Sequence, residues 1–278
     1  MTKNPPRTVF GPGRYPAARR CTALTLLGWL ALPLGAQETG KPGAALAPLL
    51  QADGSASPAW RFVGFPKAHT DIPPTQFEAG TADGVRAVRV STAASYGTLV
   101  HEWNGPAAER LQWRWRLDVP LAGGRSAPDI LSKAGDDAAL KVCVMFDHPL
   151  QQVPFVERTL LRIARRVSGE PLPAATLCYL WDSSYPAGLQ GANPYTRRVR
   201  FITLQGRSAP LQRWVNESRD PVQDYIDLFA DELPAARQTP RSEVPHIRSV
   251  LIGADSDNTA TKSTGWVSDL RWAASSPP

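Results

Sequence analysis

Acidic side chains are missing from the first 36 residues, which instead carry Lys3, Arg7, Arg14, Arg19 and Arg20. That gap localises the net charge of +6: without those five, 26 basic residues face 25 acidic ones, and the rest of the chain is close to neutral. A surface built for nucleic acid is therefore not expected. Zinc spacings such as His-Glu-x-x-His or Cys-x-x-Cys are also missing, as are a Gly-x-Ser-x-Gly elbow and a phosphate-cradling glycine loop. After residue 36 no apolar run has the length of a membrane span, and no internal repeat is visible.

Within the leader, Arg19-Arg20 precedes the apolar run Cys21-Thr22-Ala23-Leu24-Thr25-Leu26-Leu27-Gly28-Trp29-Leu30-Ala31-Leu32-Pro33-Leu34, and small residues follow at Gly35-Ala36. The run is short for a bilayer and has signal-peptide length, so residues 1–36 are expected to be an export signal and the protein periplasmic or secreted. Membrane contact is expected only through that signal. Cys143 and Cys178 then remain, each inside an apolar run. A buried free thiol is the ordinary outcome for such a residue, and a disulfide is the alternative an oxidising compartment permits.

Residues 37–58 are rich in Ala, Pro, Gly and Ser without a sustained period, and read as a linker. From residue 59 to 274 short β-type runs alternate with Gly, Pro and Asp. The clearest is Leu111-Gln112-Trp113-Arg114-Trp115-Arg116-Leu117-Asp118, whose period of two puts Leu111, Trp113, Trp115 and Leu117 on one face. Further strands are expected over 60–65, 84–90, 96–103, 138–147, 176–182, 198–205, 211–216 and in the closing segment 246–272. Two helices interrupt them. One starts near Pro154 and ends by Gly169, with Arg158, Arg162, Arg165 and Arg166 expected on a solvated face and an anionic lipid surface as the alternative; the other follows Asp220-Pro221, an N-cap with proline at the first helical position. About eleven strands without βαβ alternation predict one all-β domain, a jelly-roll-like β-sandwich with two inserted helices, and a monomer is expected.

Three constellations can carry chemistry. Asp136 and Asp137 are candidates for an acidic site with Asp269; Asp147 is excluded, because ten residues of strand would place it about 33 Å away. Trp181, Tyr195 and Trp266 are candidates for stacking on sugar rings, although large aromatics also fill cores. The turn Asp255-Ser256-Asp257-Asn258-Thr259 offers Asp255, Asp257 and Asn258 as oxygen ligands for a structural Ca²⁺, while a plain turn explains the same residues. Ala260 and Trp266 stand where an EF-hand loop needs Gly and Glu.

Five ordered phrases carry a resemblance: Leu111-Gln112-Trp113-Arg114-Trp115-Arg116; Gly135-Asp136-Asp137 leading to Val144-Met145-Phe146-Asp147; Leu177-Cys178-Tyr179-Leu180-Trp181; Asn193-Pro194-Tyr195-Thr196; and Asp255-Ser256-Asp257-Asn258-Thr259 before Gly265-Trp266-Val267-Ser268-Asp269-Leu270. In this order the chain resembles the exported bacterial domain-of-unknown-function family 3047 over residues 60–272, with Ser268 where Gly is expected. The resemblance implies export and a single domain and transfers no catalytic residue. The closing aromatic-Asp-hydrophobic strand also looks like that of jelly-roll carbohydrate-binding modules, some of which hold a structural Ca²⁺ there. The expected function is non-catalytic binding of a glycan or cell-envelope polymer. The alternative is a glycan-processing hydrolase or lyase working through cross-strand carboxylates.

Overall fold

The computed structural model describes residues 9–10, 45–65, 71–105, 110–168, 172–233 and 240–273. In chain order the elements are β1 (Val9–Phe10), β2 (Arg61–Val63), β3 (Gln76–Ala82), β4 (Val85–Ala93), β5 (Tyr96–Gly105), β6 (Arg110–Val119), β7 (Leu140–Phe146), α1 (Phe155–Ser168), β8 (Ala175–Trp181), β9 (Gln190–Asn193), β10 (Thr196–Gln205), β11 (Val215–Arg219), α2 (Pro221–Leu228), β12 (Ile247–Asp255) and β13 (Lys262–Ala273). Apart from Val9–Phe10, which pairs with β3, the leader lies outside the described residues.

The strands form two sheets, one ordered β1-β3-β4-β13-β6-β11 and the other β2-β5-β12-β7-β8-β10-β9. All pairings are antiparallel except β8 with β10. The two sheets pack face to face as the expected jelly-roll-like sandwich with two helices. The last two strands do not sit at an edge. β12 lies between β5 and β7 in one sheet, and β13 between β4 and β6 in the other, so the acidic turn crosses from sheet to sheet.

Alternation decides what is buried. Leu111, Trp113, Trp115 and Leu117 of β6 point inward and meet Leu140, Val142 and Val144 of β7 and Leu177, Tyr179 and Trp181 of β8 in one core. Trp115 stands edge-on to Trp181 with ring centroids 5.6 Å apart, and Trp113 lies 5.3 Å from Tyr179. The tryptophans that made sugar stacking attractive thus largely fill the thickness of the sandwich. α2 closes one end of this core with Val222, Tyr225 and Ile226, and its cap is as the sequence predicts: the Asp220 side chain accepts from the N–H groups of Val222 and Gln223.

Four differences from the sequence reading have local causes. β3 and β9 were not anticipated: one contains Glu78, Ala79 and Gly80, the other Gln190, Gly191 and Asn193, residues that fit strands poorly. β11 begins at Val215, not 211, because Gln212 has φ of 58° in the preceding turn. The stretch read as a linker is docked from residue 45 onward. Leu46 and Leu49 enter the core, and the Ala47 carbonyl accepts from Trp60 Nε1. Cys143 and Cys178 face each other across β7 and β8, 4.1 Å apart at Cα, and form a disulfide instead of two free thiols.

Candidate functional site

The outer face of the seven-stranded sheet carries the alternate residues: Tyr96 and Thr98 of β5, Leu251 and Asp255 of β12, Lys141, Cys143 and Met145 of β7, and Cys178 of β8. They floor an open groove of about 590 Å³, walled by Phe65, Asp136, Asn193, Tyr195, Asp257 and Asn258. One end is covered by the loop after β6, which packs Ile130 and Ala138 onto Val100, Cys143, Cys178, Leu180, Phe201 and Leu251. That loop folds on itself: the Asp129 N–H donates to the Gly135 carbonyl, and a Cβ on Gly135 would stand 2.5 Å from Asp129 N. Only glycine allows this close approach, which sets Asp136 and Asp137 at the groove's end.

Each acid there has a separate environment. Asp137 is buried and clamps the turn, accepting from Asn258 N at 3.2 Å and from Thr259 N and Oγ1 at 2.7 and 2.5 Å. Asp255 accepts from Ala138 N and from Lys141 Nζ, both at 2.8 Å. Burial raises its pKa while the Lys141 charge opposes, and in return the Asp255 charge raises the Lys141 pKa against burial. Asp136 accepts from Asn193 Nδ2 at 2.5 Å. Burial, reinforced by the neighbouring Asp255 charge, lifts its pKa to about 7. Asp257 is lifted to about 6 for the same two reasons. Two carboxyls that titrate near neutrality therefore line one groove.

Side-chain amides and a phenol complete it. Asn193 Oδ1 accepts from the Tyr195 N–H, which fixes the turn between β9 and β10, and Asn258 Nδ2 donates to the Asp136 carbonyl. The Tyr195 hydroxyl lies 2.9 Å from the Lys133 carbonyl and 3.1 Å from Asn258 Oδ1, so its one proton serves two acceptors. Its ring remains 56% exposed at the rim. Tyr96, beneath, has its pKa raised by burial. The groove continues past Thr98, Met145 and Leu251 toward Arg61, Glu102 and Arg248 in an adjoining depression of about 260 Å³.

The structure thus brings Asp136, Asp137, Asp255, Asp257, Asn258 and Tyr195 together. Asp269 is elsewhere, on the outer face of the six-stranded sheet at a bulge in β13, with φ of 54° and its carboxylate 2.5 Å from Arg114 Nε. The expectation that it joins Asp136 and Asp137 is corrected: β13 belongs to the other sheet, so its outward residues face the opposite side of the sandwich. Trp181 is 1% exposed in the core and cannot stack on a ligand. Trp266 also lies outside the groove, over Gly80 with Nε1 donating to Asp118 at 2.9 Å. Of the turn oxygens considered for a cation, those of Asp255 are held by Ala138 and Lys141 and Asn258 Oδ1 by Tyr195, while Asp257 lines the groove. Among the described residues no group of three or more His, Cys, Asp or Glu is arranged to hold a metal ion. Lys141 and Asn193 were missed. A lone lysine in the apolar run of β7 was the available signal for the first, and the Asn-Pro-Tyr-Thr turn for the second.

The family described as Protein of unknown function (DUF3047) matches residues 58–271, nearly the whole sandwich. The chain belongs to the DUF3047 family. The match covers every groove residue named above, from Arg61 to Asn258. No curated protein matches this DUF3047 chain. Among solved structures it is similar to the xyloglucanase domain of NopAA, a type three effector from Sinorhizobium fredii in complex with cellobiose, at 10% identity and a TM-score of 0.37, over 76% of this chain and 89% of that one. No residue role is transferred from so distant a likeness.

Proposed function

We propose that this DUF3047 protein acts outside the cytoplasm as a glycan-binding β-sandwich, with the groove across the seven-stranded sheet as its site. The observation that carries the reading is the composition of that groove: Tyr195 and Phe65 offer ring faces, and Asp136, Asp257, Asn193 and Asn258 offer hydroxyl-matching donors and acceptors around one open cavity. Sugar rings need both, an apolar platform for their C–H faces and paired polar groups for their hydroxyls. The Cys143–Cys178 disulfide and the leader-like first 36 residues support an exported setting. A glycan array followed by calorimetry on hits tests it. Tyr195→Ala is expected to weaken binding about tenfold, from loss of one stacking contact. No hit on the array, or hits that Tyr195→Ala leaves unchanged, would overturn the reading.

One observation favours a second reading, hydrolysis. A carboxyl with a pKa of about 7 is about half protonated at neutral pH and can act as a general acid, and Asp257 in the same groove titrates lower, at about 6. Release of reducing ends from a bound oligosaccharide, abolished by Asp136→Asn while binding persists, would establish hydrolysis. Binding with no turnover would leave the groove a recognition site.

A further inference from the structure

Helix α1 does not bury its apolar stripe. Phe155 is 73% exposed, Val156 67%, Leu160 60% and Ile163 53%, so among the described residues four of the eight large apolar side chains that stand exposed lie on this one helix. At about 100° per residue they share an arc of roughly 140°. The opposite side holds the helix to the domain: Leu161 packs with Val153 and Ala174, Arg165 Nε donates to the Leu172 carbonyl, and Glu157 pairs with the buried Arg198 at 2.9 Å. Globular helices normally turn such a stripe inward. Here the inward face is held by one small apolar cluster around Leu161 together with Arg165 and the Glu157–Arg198 pair, and the larger apolar stripe faces outward.

Charge says what covers it. Arg158, Arg162 and Arg166 follow one border of the stripe, with Arg162 and Arg166 exposed and Arg158 held 5.7 Å from the Phe155 ring. The only carboxylate of α1, Glu157, is turned inward onto Arg198, so the exposed side carries cations and no anion, and its Thr159 hydroxyl donates to the Phe155 carbonyl. Fourteen residues span about 21 Å of helix, too short to cross a bilayer, and no described helix is long and apolar enough to do so. A rigidly anchored helix with an outward apolar face and an arginine border matches an element that lies in a membrane interface, with its side chains among the acyl chains and its arginines at phosphate level.

We propose that α1 is an interfacial docking helix that seats the sandwich on an anionic lipid surface. Because Leu172 and Pro173, just beyond the helix, wall the glycan groove, docking through α1 would hold that groove beside the bilayer.

The test is co-sedimentation of the full chain with vesicles of phosphatidylglycerol and phosphatidylethanolamine, and with neutral phosphatidylcholine vesicles. Wild type is expected to bind the anionic vesicles, less so in about 0.5 M salt, where charge attraction is screened. Leu160→Asp with Ile163→Asp is expected to weaken binding at least about tenfold, and Arg162→Glu with Arg166→Glu roughly tenfold. All four side chains point outward, so both variants should unfold at the wild-type temperature. Residues 1–36 are common to every protein compared, so the difference between them reads α1. Absence of wild-type binding, or variants that bind as well as wild type, overturns the proposal. So does a dimer that Leu160→Asp dissociates without vesicle binding, which would assign the stripe to a second copy of the chain.

Discussion

Replacing Asp136 by Asn should stabilise the protein by an amount that grows from about pH 4 and is complete above neutral pH. In the folded state burial and the Asp255 charge hold the Asp136 pKa at about 7, against an ordinary value of 3.8. Between those two pH values the unfolded chain has released a proton that the folded chain keeps, so stability falls as pH rises through the interval. At about 1.4 kcal/mol per pH unit, an interval of roughly three units amounts to about 4 kcal/mol, and residual solvent access at the groove reduces this to about 2–3 kcal/mol. Asn has the same shape and can still accept from Asn193 Nδ2, but it carries no charge to repel Asp255 and Asp137. Urea unfolding at pH 4 and pH 8 measures the difference, with the m-value checked for constancy. The expected result is near-equal midpoints at pH 4 and a variant more stable by about 2–3 kcal/mol at pH 8. A variant less stable at pH 8, or a gap of the same size at both pH values, would refute the account of the site as a cluster of opposed carboxyls.

Two more perturbations probe the groove floor, beside the Tyr195→Ala and α1 variants above. Lys141→Met leaves the Asp255 carboxylate buried without its cation and should cost about 3–5 kcal/mol, most of it regained when Asp255→Asn is added; denaturant midpoints of the single and double variants decide it, and additive losses would contradict the pairing. Cys143→Ser with Cys178→Ser opens a loop of sequence separation 35 and should lower stability by about 3–4 kcal/mol, a difference that disappears when both proteins are measured in reductant.

The sandwich was legible because its strands alternate: the Trp113 and Trp115 face of β6 could be assigned inward from period alone, and Asp220-Pro221 announced α2 by chemistry that is local. Edge strands such as β9 have no such signal, since half their backbone needs no partner and Gln190 or Gly191 is tolerated there. The site was half legible. Asp136 and Asp137 were visible as an acid pair before a strand, and the 255–259 turn as a polar turn, but their meeting depends on β7 and β12 being neighbours. Asp269 shows the cost of guessing such a meeting: one crossing of the turn puts β13 in the opposite sheet. For α1 the period predicted a helix, and period alone does not say what its apolar stripe meets: no described element covers Phe155 or Ile163.

The placement of β12 and β13 governs how the domain can be made. Each fills the centre of one sheet, so until both are available β5 has no route to β7 and β4 none to β6. A chain synthesised from its N-terminus carries its earlier strands as unclosed fragments until residues 247–273 arrive, and its contacts are then made across long separations. Cooperative folding waits on the last-made strands. A nascent chain in that state stays threadable, and a truncation before 247 should yield no folded fragment to accumulate.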